Sequence, residues 1–121
     1  MRSIVWFLPA FFVFLGILLL STVFSVPVQI EGVSYLDKIE HAFAYLVLTI
    51  SFLYGFYKNQ SLKKSTWILL MVLCALYGTT LELIQYTFFP NRYFEWLDAT
   101  ANLAGVLLGG FSFIIFTNGQ K

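Results

Sequence analysis

The sequence predicts an all-α protein, a four-helix transmembrane bundle with both termini in the cytoplasm. Composition is the first observation, because 60% of the 121 residues are hydrophobic and only 11% are charged. Soluble domains carry about 45–50% apolar residues and about 25% charged residues. A short soluble chain buries only about two-thirds of its unfolded surface. This apolar excess therefore excludes a soluble globular fold and requires lipid as the solvent.

Four apolar windows are the second observation. Each has the length of about 20 residues that crosses a hydrocarbon layer roughly 30 Å thick. The windows cover residues 4–24, 39–57, 66–89 and 96–117 of a single domain spanning residues 1–121. Helices satisfy their own backbone hydrogen bonds in lipid, so we expect each window to be helical.

The windows differ in where they carry polar residues. The first has no charged residue, and it is longer than the apolar region of about 7–15 residues in a signal peptide, so we expect it to remain as a span. Pro9 predicts an irregular first turn in this helix. The other windows have polar residues near one end: Glu40 and His41 in the second, Glu82 and Gln85 in the third, and Asp98 and Asn102 in the fourth.

Basic residues are unevenly divided between the two sides of this topology, which is the third observation. Lys38 and Arg92 fall on one side, and five basic residues fall on the other: Arg2, Lys58, Lys63, Lys64 and Lys121. The side richer in lysine and arginine faces the cytoplasm. Both termini are therefore predicted to be cytoplasmic.

Charge and cysteine content exclude other classes of function. A net charge of +1 provides no basic surface for nucleic acid. Cys74 is the only cysteine in the sequence, so an internal disulfide and a cysteine-based zinc cluster are both excluded.

Seven polar residues are predicted to lie at similar depth on the outer side of the membrane, given a rise of about 1.5 Å per helical residue. They are Asp37, His41, Glu82, Gln85, Arg92, Asp98 and Asn102. Asp98 and Asn102 share a helix face with Gly105 and Gly109, and such small residues let helices pack closely. This face is therefore predicted to point into the bundle, where the polar residues form either a pocket open to the outside or a buried structural cluster.

Each polar residue also has a structural interpretation. Glu82 inside a span is costly and normally faces the bundle interior. It could be neutralised by Arg92, or held protonated by Gln85 and Asn102. Carboxylates in the first turns of the second and fourth helices could simply complement the helix dipole. His41 could be a hydrogen-bonded core histidine.

The same residues form an ordered motif over about residues 37–110. It reads D-K-x-x-H-x-x-x-Y from Asp37 to Tyr45, E-x-x-Q from Glu82 to Gln85, an arginine at Arg92, and D-x-x-x-N-x-x-G-x-x-x-G from Asp98 to Gly109. This set resembles the VanZ-like family, although Asn91 stands where the family pattern has glycine. The resemblance implies a small multi-pass protein of the bacterial cytoplasmic membrane. The family name comes from resistance to glycopeptide antibiotics, specifically teicoplanin, which implies a role at the cell envelope.

Two classes of function remain open. The first is an enzyme or binding protein for an envelope lipid or a lipid-linked cell-wall intermediate at the outer leaflet. Glu82, His41 and Asp98 are then the catalytic candidates for acid–base chemistry. Lys38 and Arg92 suit an anionic head group such as phosphate. The full set of ligand-binding candidates is Asp37, Lys38, Gln85, Arg92 and Asn102.

The second class is a non-enzymatic membrane module whose polar cluster is structural and whose partner is another membrane protein. The sequence contains no familiar motif for a nucleophile or a phosphate-binding loop, so it does not decide whether the protein is an enzyme. A proton pathway is disfavoured, because the inner half of the bundle lacks acidic and amide residues to continue a relay. A metal site on Asp37, His41, Glu82 and Asp98 fits by ligand type. It lacks a diagnostic short spacing, so no metal or cofactor is assigned.

Overall fold

The computed structural model describes residues 2–23, 35–89 and 94–120. A 3-10 turn at Ile4–Phe7 leads into helix α1 (Leu8–Thr22), followed by α2 (Tyr35–Lys58), α3 (Lys64–Phe88) and α4 (Trp96–Gly119). The described residues include no β-strand. Four helical segments are long and apolar enough to cross a membrane, the first of them running from Ile4 through α1. The all-helical class is therefore confirmed for the described residues, and so is the presence of four helices long and apolar enough to span a membrane.

α2 begins earlier than predicted, at Tyr35 rather than at residue 39. Asp37 therefore lies in the first turn of α2, as Asp98 does in α4. A carboxylate in the first turn interacts favourably with the N-terminal end of the helix dipole, so these charges are compatible with the helix start. Pro9 lies at the start of α1, after the 3-10 turn, where its missing N–H removes no helical hydrogen bond.

Contacts between the helices show that they run alternately up and down. Ser3 exchanges hydrogen bonds with the side chain of Asn59, just after α2 (Ser3 N to Asn59 Oδ1, 2.7 Å; Asn59 Nδ2 to Ser3 O, 3.1 Å). At the opposite end of α1, Gln85 Nε2 of α3 donates to the carbonyl oxygen of Ser21 at 2.9 Å. α1 and α3 therefore run in one direction, and α2 runs in the other. Lys38 in the first turn of α2 forms an ion pair with Asp98 in the first turn of α4, which shows that these two helices run in the same direction.

The two ends of the bundle differ in charge. We name the end where α2 and α4 begin the acidic end, because it holds every aspartate and glutamate that the structure describes: Asp37, Glu40, Glu82, Glu95 and Asp98. The opposite end, named the basic end, holds Arg2, Lys58, Lys63 and Lys64. There the Lys58 ammonium lies 5.2 Å from the centroid of a Trp6 ring, within cation–π range.

Apolar side chains fill the space between the helices and also cover the outer faces. The buried clusters comprise Tyr45, Leu48, Met71, Cys74 and Val106 in one, and Leu53, Leu70 and Phe113 in the other. Large apolar side chains elsewhere on all four helices are exposed. A soluble monomer rarely exposes contiguous apolar surface of this extent, whereas lipid accommodates it.

α2 and α4 pack backbone against backbone at Gly105 and Gly109. A Cβ atom on Gly105 would overlap the carbonyl oxygen of Ala42, and one on Gly109 would lie 2.9 Å from the carbonyl oxygen of Leu46. The predicted inward orientation of this face of α4 is therefore confirmed. Because Asp98 lies on the same face, the glycine contact also brings it against α2.

Replacing Gly105 by alanine is expected to destabilise the bundle by about 1–3 kcal/mol, because the new methyl group has to push α2 and α4 apart. Gly16 in α1 has no atom within 4 Å of an added Cβ. Gly16→Ala is therefore the matched control, and it should unfold at the wild-type temperature or above it. Circular dichroism during heating in detergent measures the difference. Equal unfolding temperatures for the two variants would contradict the close backbone contact.

Candidate functional site

Lys38 in α2 is the centre of an ion-pair network at the acidic end. Its ammonium lies 2.6 Å from Glu95 Oε2 and 3.3 Å from Asp37 Oδ2, and it also pairs with Asp98 Oδ1. Only 10% of the Asp98 side chain is exposed, compared with 55% for Glu95. Lys38 therefore neutralises a buried carboxylate at the point where α4 enters the bundle, and it ties α4 to α2.

Asp37 and Asp98 each use one carboxylate oxygen for Lys38 and present the other to His41. Asp37 Oδ1 lies 3.6 Å from His41 Nδ1, and Asp98 Oδ2 lies 3.9 Å from His41 Nε2. The ammonium of Lys38 thus fixes the orientation of both carboxylates toward the imidazole.

The His41 ring is oriented by the backbone of its own helix. Nδ1 lies 2.8 Å from the carbonyl oxygen of Asp37, and since a carbonyl only accepts, Nδ1 is the donor. Nε2 faces Glu82 Oε1 of α3 and Asp98 Oδ2 of α4, each 3.9 Å away. These distances are too long for direct hydrogen bonds. When His41 is neutral with its proton on Nδ1, Nε2 and the two carboxylate oxygens can therefore all accept hydrogen bonds from a donor, or bind a cation, placed between them.

Glu82 is the most deeply buried carboxylate of the cluster, with 6% of its side chain exposed. Asp37 and Glu95 are half-exposed and His41 is partly exposed. Exposure thus decreases from the end of the bundle toward Glu82, which gives a polar route from the membrane surface to a buried carboxylate.

A second layer lies one helical turn deeper and takes one residue from each of the same three helices. Its members are Tyr45, Gly78 and Asn102, each four residues from His41, Glu82 and Asp98 respectively. A Cβ atom on Gly78 would lie 3.0 Å from the Tyr45 ring and 3.1 Å from Asn102 Nδ2, so the three residues are neighbours. Asn102 Oδ1 is buried and has no hydrogen-bond partner in the part of the chain that the structure describes. A buried acceptor without a donor costs about 1–3 kcal/mol.

Most of the predicted site residues lie in these two layers: Asp37, Lys38, His41, Glu82, Asp98 and Asn102. Gln85 instead donates to Ser21 of α1, so its observed hydrogen bond joins two helices. Gln85 is three residues after Glu82, so its side chain points about 60° away from that of Glu82 around the axis of α3. This rotation directs Gln85 toward α1. Arg92 lies outside the residues that the structure describes.

Glu95 is the site residue that sequence reasoning missed. It precedes α4 and falls just outside the fourth apolar window, yet its side chain pairs with Lys38. Its spacing of three residues from Asp98 is the signal that could have identified it, since positions i and i+3 share one side of a helix.

The arrangement suits acid–base chemistry and the binding of a cation or a hydrogen-bond donor. An imidazole beside two carboxylates can accept and return a proton. Lys38 is less suited to a phosphate than the sequence suggested, because three carboxylates already engage its ammonium. Among the described residues, the cluster is therefore acidic in character.

The chain matches no protein-family model, and no curated protein or solved structure matches it. The VanZ-like resemblance therefore stays a prediction, and the geometry of the cluster is the basis for a functional proposal.

Replacing Lys38 by methionine is expected to destabilise the bundle by about 3–5 kcal/mol, because it leaves the buried Asp98 carboxylate without its cation. Lys64→Met, at the exposed start of α3, is the control and should change stability little. Adding Asp98→Asn to Lys38→Met should restore part of the lost stability, since the uncompensated charge is then removed. Thermal unfolding in detergent measures all three effects. A Lys38→Met protein as stable as the Lys64→Met protein would show that the ion pair contributes nothing.

Proposed function

We propose that this chain is a multi-pass protein of the bacterial cytoplasmic membrane whose acidic end binds the polar head of an envelope lipid or a lipid-linked cell-wall intermediate. Incomplete pairing of the cluster is the observation that supports the proposal. His41 Nε2 lies 3.9 Å from each of two carboxylates, and Asn102 Oδ1 is buried with no partner among the described residues. A cluster with a purely structural role normally satisfies its buried polar groups internally.

The surroundings of the cluster suit an amphiphilic ligand. Half-exposed Asp37 and Glu95 give a head group access from the membrane surface. Exposed apolar side chains, including Ile39, Phe88 and Trp96, flank the same end of the bundle. A molecule with a polar head and apolar chains can therefore contact both regions at once. In a catalytic version of this function, Glu82, His41 and Asp98 exchange protons with the bound head group.

The acidic end faces the outside of the cell in this proposal, and both termini are cytoplasmic. The separation of Arg2, Lys58, Lys63 and Lys64 from the acidic end supports this orientation, since loops rich in lysine and arginine stay in the cytoplasm. The VanZ-like resemblance supports a role at the cell envelope and a link to resistance against teicoplanin.

The ion pairs of Lys38 favour a second candidate function. Three carboxylates around one ammonium can act as a structural tie between α2 and α4. The chain would then be a non-enzymatic module, and its partner would be another membrane protein. Glu82 is not one of these three carboxylates, and its structural role in such a module would rest on its approach to His41. The two candidate functions therefore differ in what Glu82 does.

The orientation can be tested with single cysteines in a Cys74→Ala background. Lys63→Cys, exposed at the basic end, should react with a membrane-impermeant maleimide only after the cells are permeabilised. Glu40→Cys, exposed at the acidic end, should react in intact cells. The reverse pattern would place the cluster on the cytoplasmic side and contradict an outer-leaflet ligand.

Glu82→Gln separates the two candidate functions, because it keeps the shape of the side chain and removes its charge. If Glu82 serves ligand binding, the variant should be at least as stable as the wild type, since a charge that lipid disfavours is gone. It should nevertheless lose the envelope lipid that the wild type retains after gentle extraction, and any resistance that the wild type confers. Glu40→Gln, an exposed carboxylate on α2, is the control and should behave as the wild type.

Native mass spectrometry of the two variants measures lipid retention, heating in detergent measures stability, and growth with teicoplanin measures resistance. A Glu82→Gln protein that is destabilised by about 3–5 kcal/mol and still retains lipid and phenotype would show that Glu82 has a structural role as the partner of His41. That result would favour the membrane module.

A further inference from the structure

We propose that His41, Glu82 and Asp98 form a binding site for a divalent cation of the zinc type. The three residues come from three different helices, and their donor atoms converge: His41 Nε2 lies 3.9 Å from both Glu82 Oε1 and Asp98 Oδ2. Bonds from zinc to nitrogen or oxygen are about 2.0–2.2 Å long, so two ligands of one ion lie at most about 4.4 Å apart. Each carboxylate oxygen is therefore close enough to His41 Nε2 to share an ion with it after small side-chain movements.

The orientation of the imidazole is the one that a metal ligand requires. A histidine that binds a metal through one ring nitrogen normally donates from the other to a carbonyl or a carboxylate. His41 Nδ1 does so with the carbonyl oxygen of Asp37 at 2.8 Å. Nε2 is then the nitrogen that offers a lone pair, and it is the one that faces Glu82 and Asp98.

The carboxylates are held by a residue that leaves their second oxygens available. Lys38 pairs with Oδ1 of Asp98 and with Oδ2 of Asp37, while Asp98 Oδ2 and Asp37 Oδ1 are directed to His41. Ligand atoms of Asp37, His41 and Asp98 all lie within 4.8 Å of one another. Asp37 Oδ1 lies 3.6 Å from Nδ1, so Asp37 supports the orientation of the imidazole. Lys38 acts here as a positioning residue.

Charge also favours a cation at this place. The described residues of the cluster include four carboxylates, on Asp37, Glu82, Glu95 and Asp98, and their cationic partners are Lys38 and, when protonated, His41. Uncompensated negative charge is costly within a span. A divalent cation beside the two most buried carboxylates would reduce this excess.

Asn102 provides an independent observation in the layer directly beneath the donor atoms. It lies one turn below Asp98 on the same face of α4, it is 3% exposed, and its Oδ1 has no hydrogen-bond partner among the described residues. Its neighbours are Tyr45 and Gly78, which lie one turn below His41 and Glu82. A water molecule bound to the ion could donate a hydrogen bond to this oxygen and so satisfy it.

The donor set selects the class of ion. One imidazole and two carboxylates suit Zn²⁺ or Mn²⁺, whereas Ca²⁺ and Mg²⁺ prefer sites made of oxygen alone and Cu⁺ prefers sulfur. An ion with three protein ligands keeps a coordination position for a further ligand. What the ion does there rests on the proposed function, because the open position would take an anionic head group that the acidic cluster otherwise repels.

Metal binding is tested on the full chain in detergent. The protein is stripped with EDTA, titrated separately with Zn²⁺ and Mn²⁺, desalted and analysed by inductively coupled plasma mass spectrometry. We expect the wild type to retain about one ion of at least one of these metals per chain, with a rise in unfolding temperature. His41→Gln and Glu82→Gln should weaken binding of that metal by at least about tenfold. Both variants leave the Lys38–Asp98 pair in place, and Glu40→Gln is the control that should bind as the wild type does.

Retention of neither metal by folded wild-type protein overturns the proposal, and so does equal retention by His41→Gln and the wild type. Circular dichroism of each variant checks that the helices are intact. Lipid retention is measured on the same samples. Folded protein that retains lipid and binds no metal contradicts only the metal site, whereas protein that binds metal and retains no lipid contradicts only the proposed lipid function.

Discussion

The contact between α2 and α4 at Gly105 and Gly109 is the constraint on which the rest of the structure depends. With no Cβ at Gly105, the backbone of α4 lies directly against the carbonyl oxygen of Ala42. Asp98 lies on the same face of α4 and His41 precedes Ala42 in α2, so this contact places the carboxylate beside both Lys38 and His41. Small residues deep in the bundle therefore set the geometry of the charged cluster above them.

The cost of charge within a membrane gives this cluster its significance. Polar groups inside spans pair with one another, and those that are incompletely paired normally serve a ligand, an ion or a proton. Lys38 satisfies the outer part of the cluster, where Asp37 and Glu95 are also accessible to water. The inner part differs, because a neutral His41 with its proton on Nδ1 leaves only acceptors there, which are Nε2 and the two nearest carboxylate oxygens. The proposed ligand binding and the proposed metal binding both rest on this shortage of donors.

Much of this arrangement follows from the sequence alone. Hydropathy predicted four helices, and helical rise placed His41, Glu82 and Asp98 at one depth, because both signals are local and periodic. The partners of Lys38 and Gln85 could not be predicted in this way. Each depends on which helix lies beside which, and the periodicity of one helix does not specify its neighbours. Glu95 was missed because its role depends on Lys38, and the periodicity of one helix does not show that α2 lies beside the start of α4.

The most direct test uses the fact that the chain contains a single histidine. In protein labelled with nitrogen-15 histidine and placed in lipid nanodiscs, the two ring signals report on His41 alone. We expect Nδ1 to carry a proton, which it donates to the backbone carbonyl of Asp37. We expect the Nε2 signal to shift when zinc is added, and we expect Nε2 to carry no proton in the zinc-loaded protein. Protonation of both nitrogens, unchanged by zinc or by the extracted envelope lipid, would show a closed structural ion pair and contradict a binding site at His41, Glu82 and Asp98.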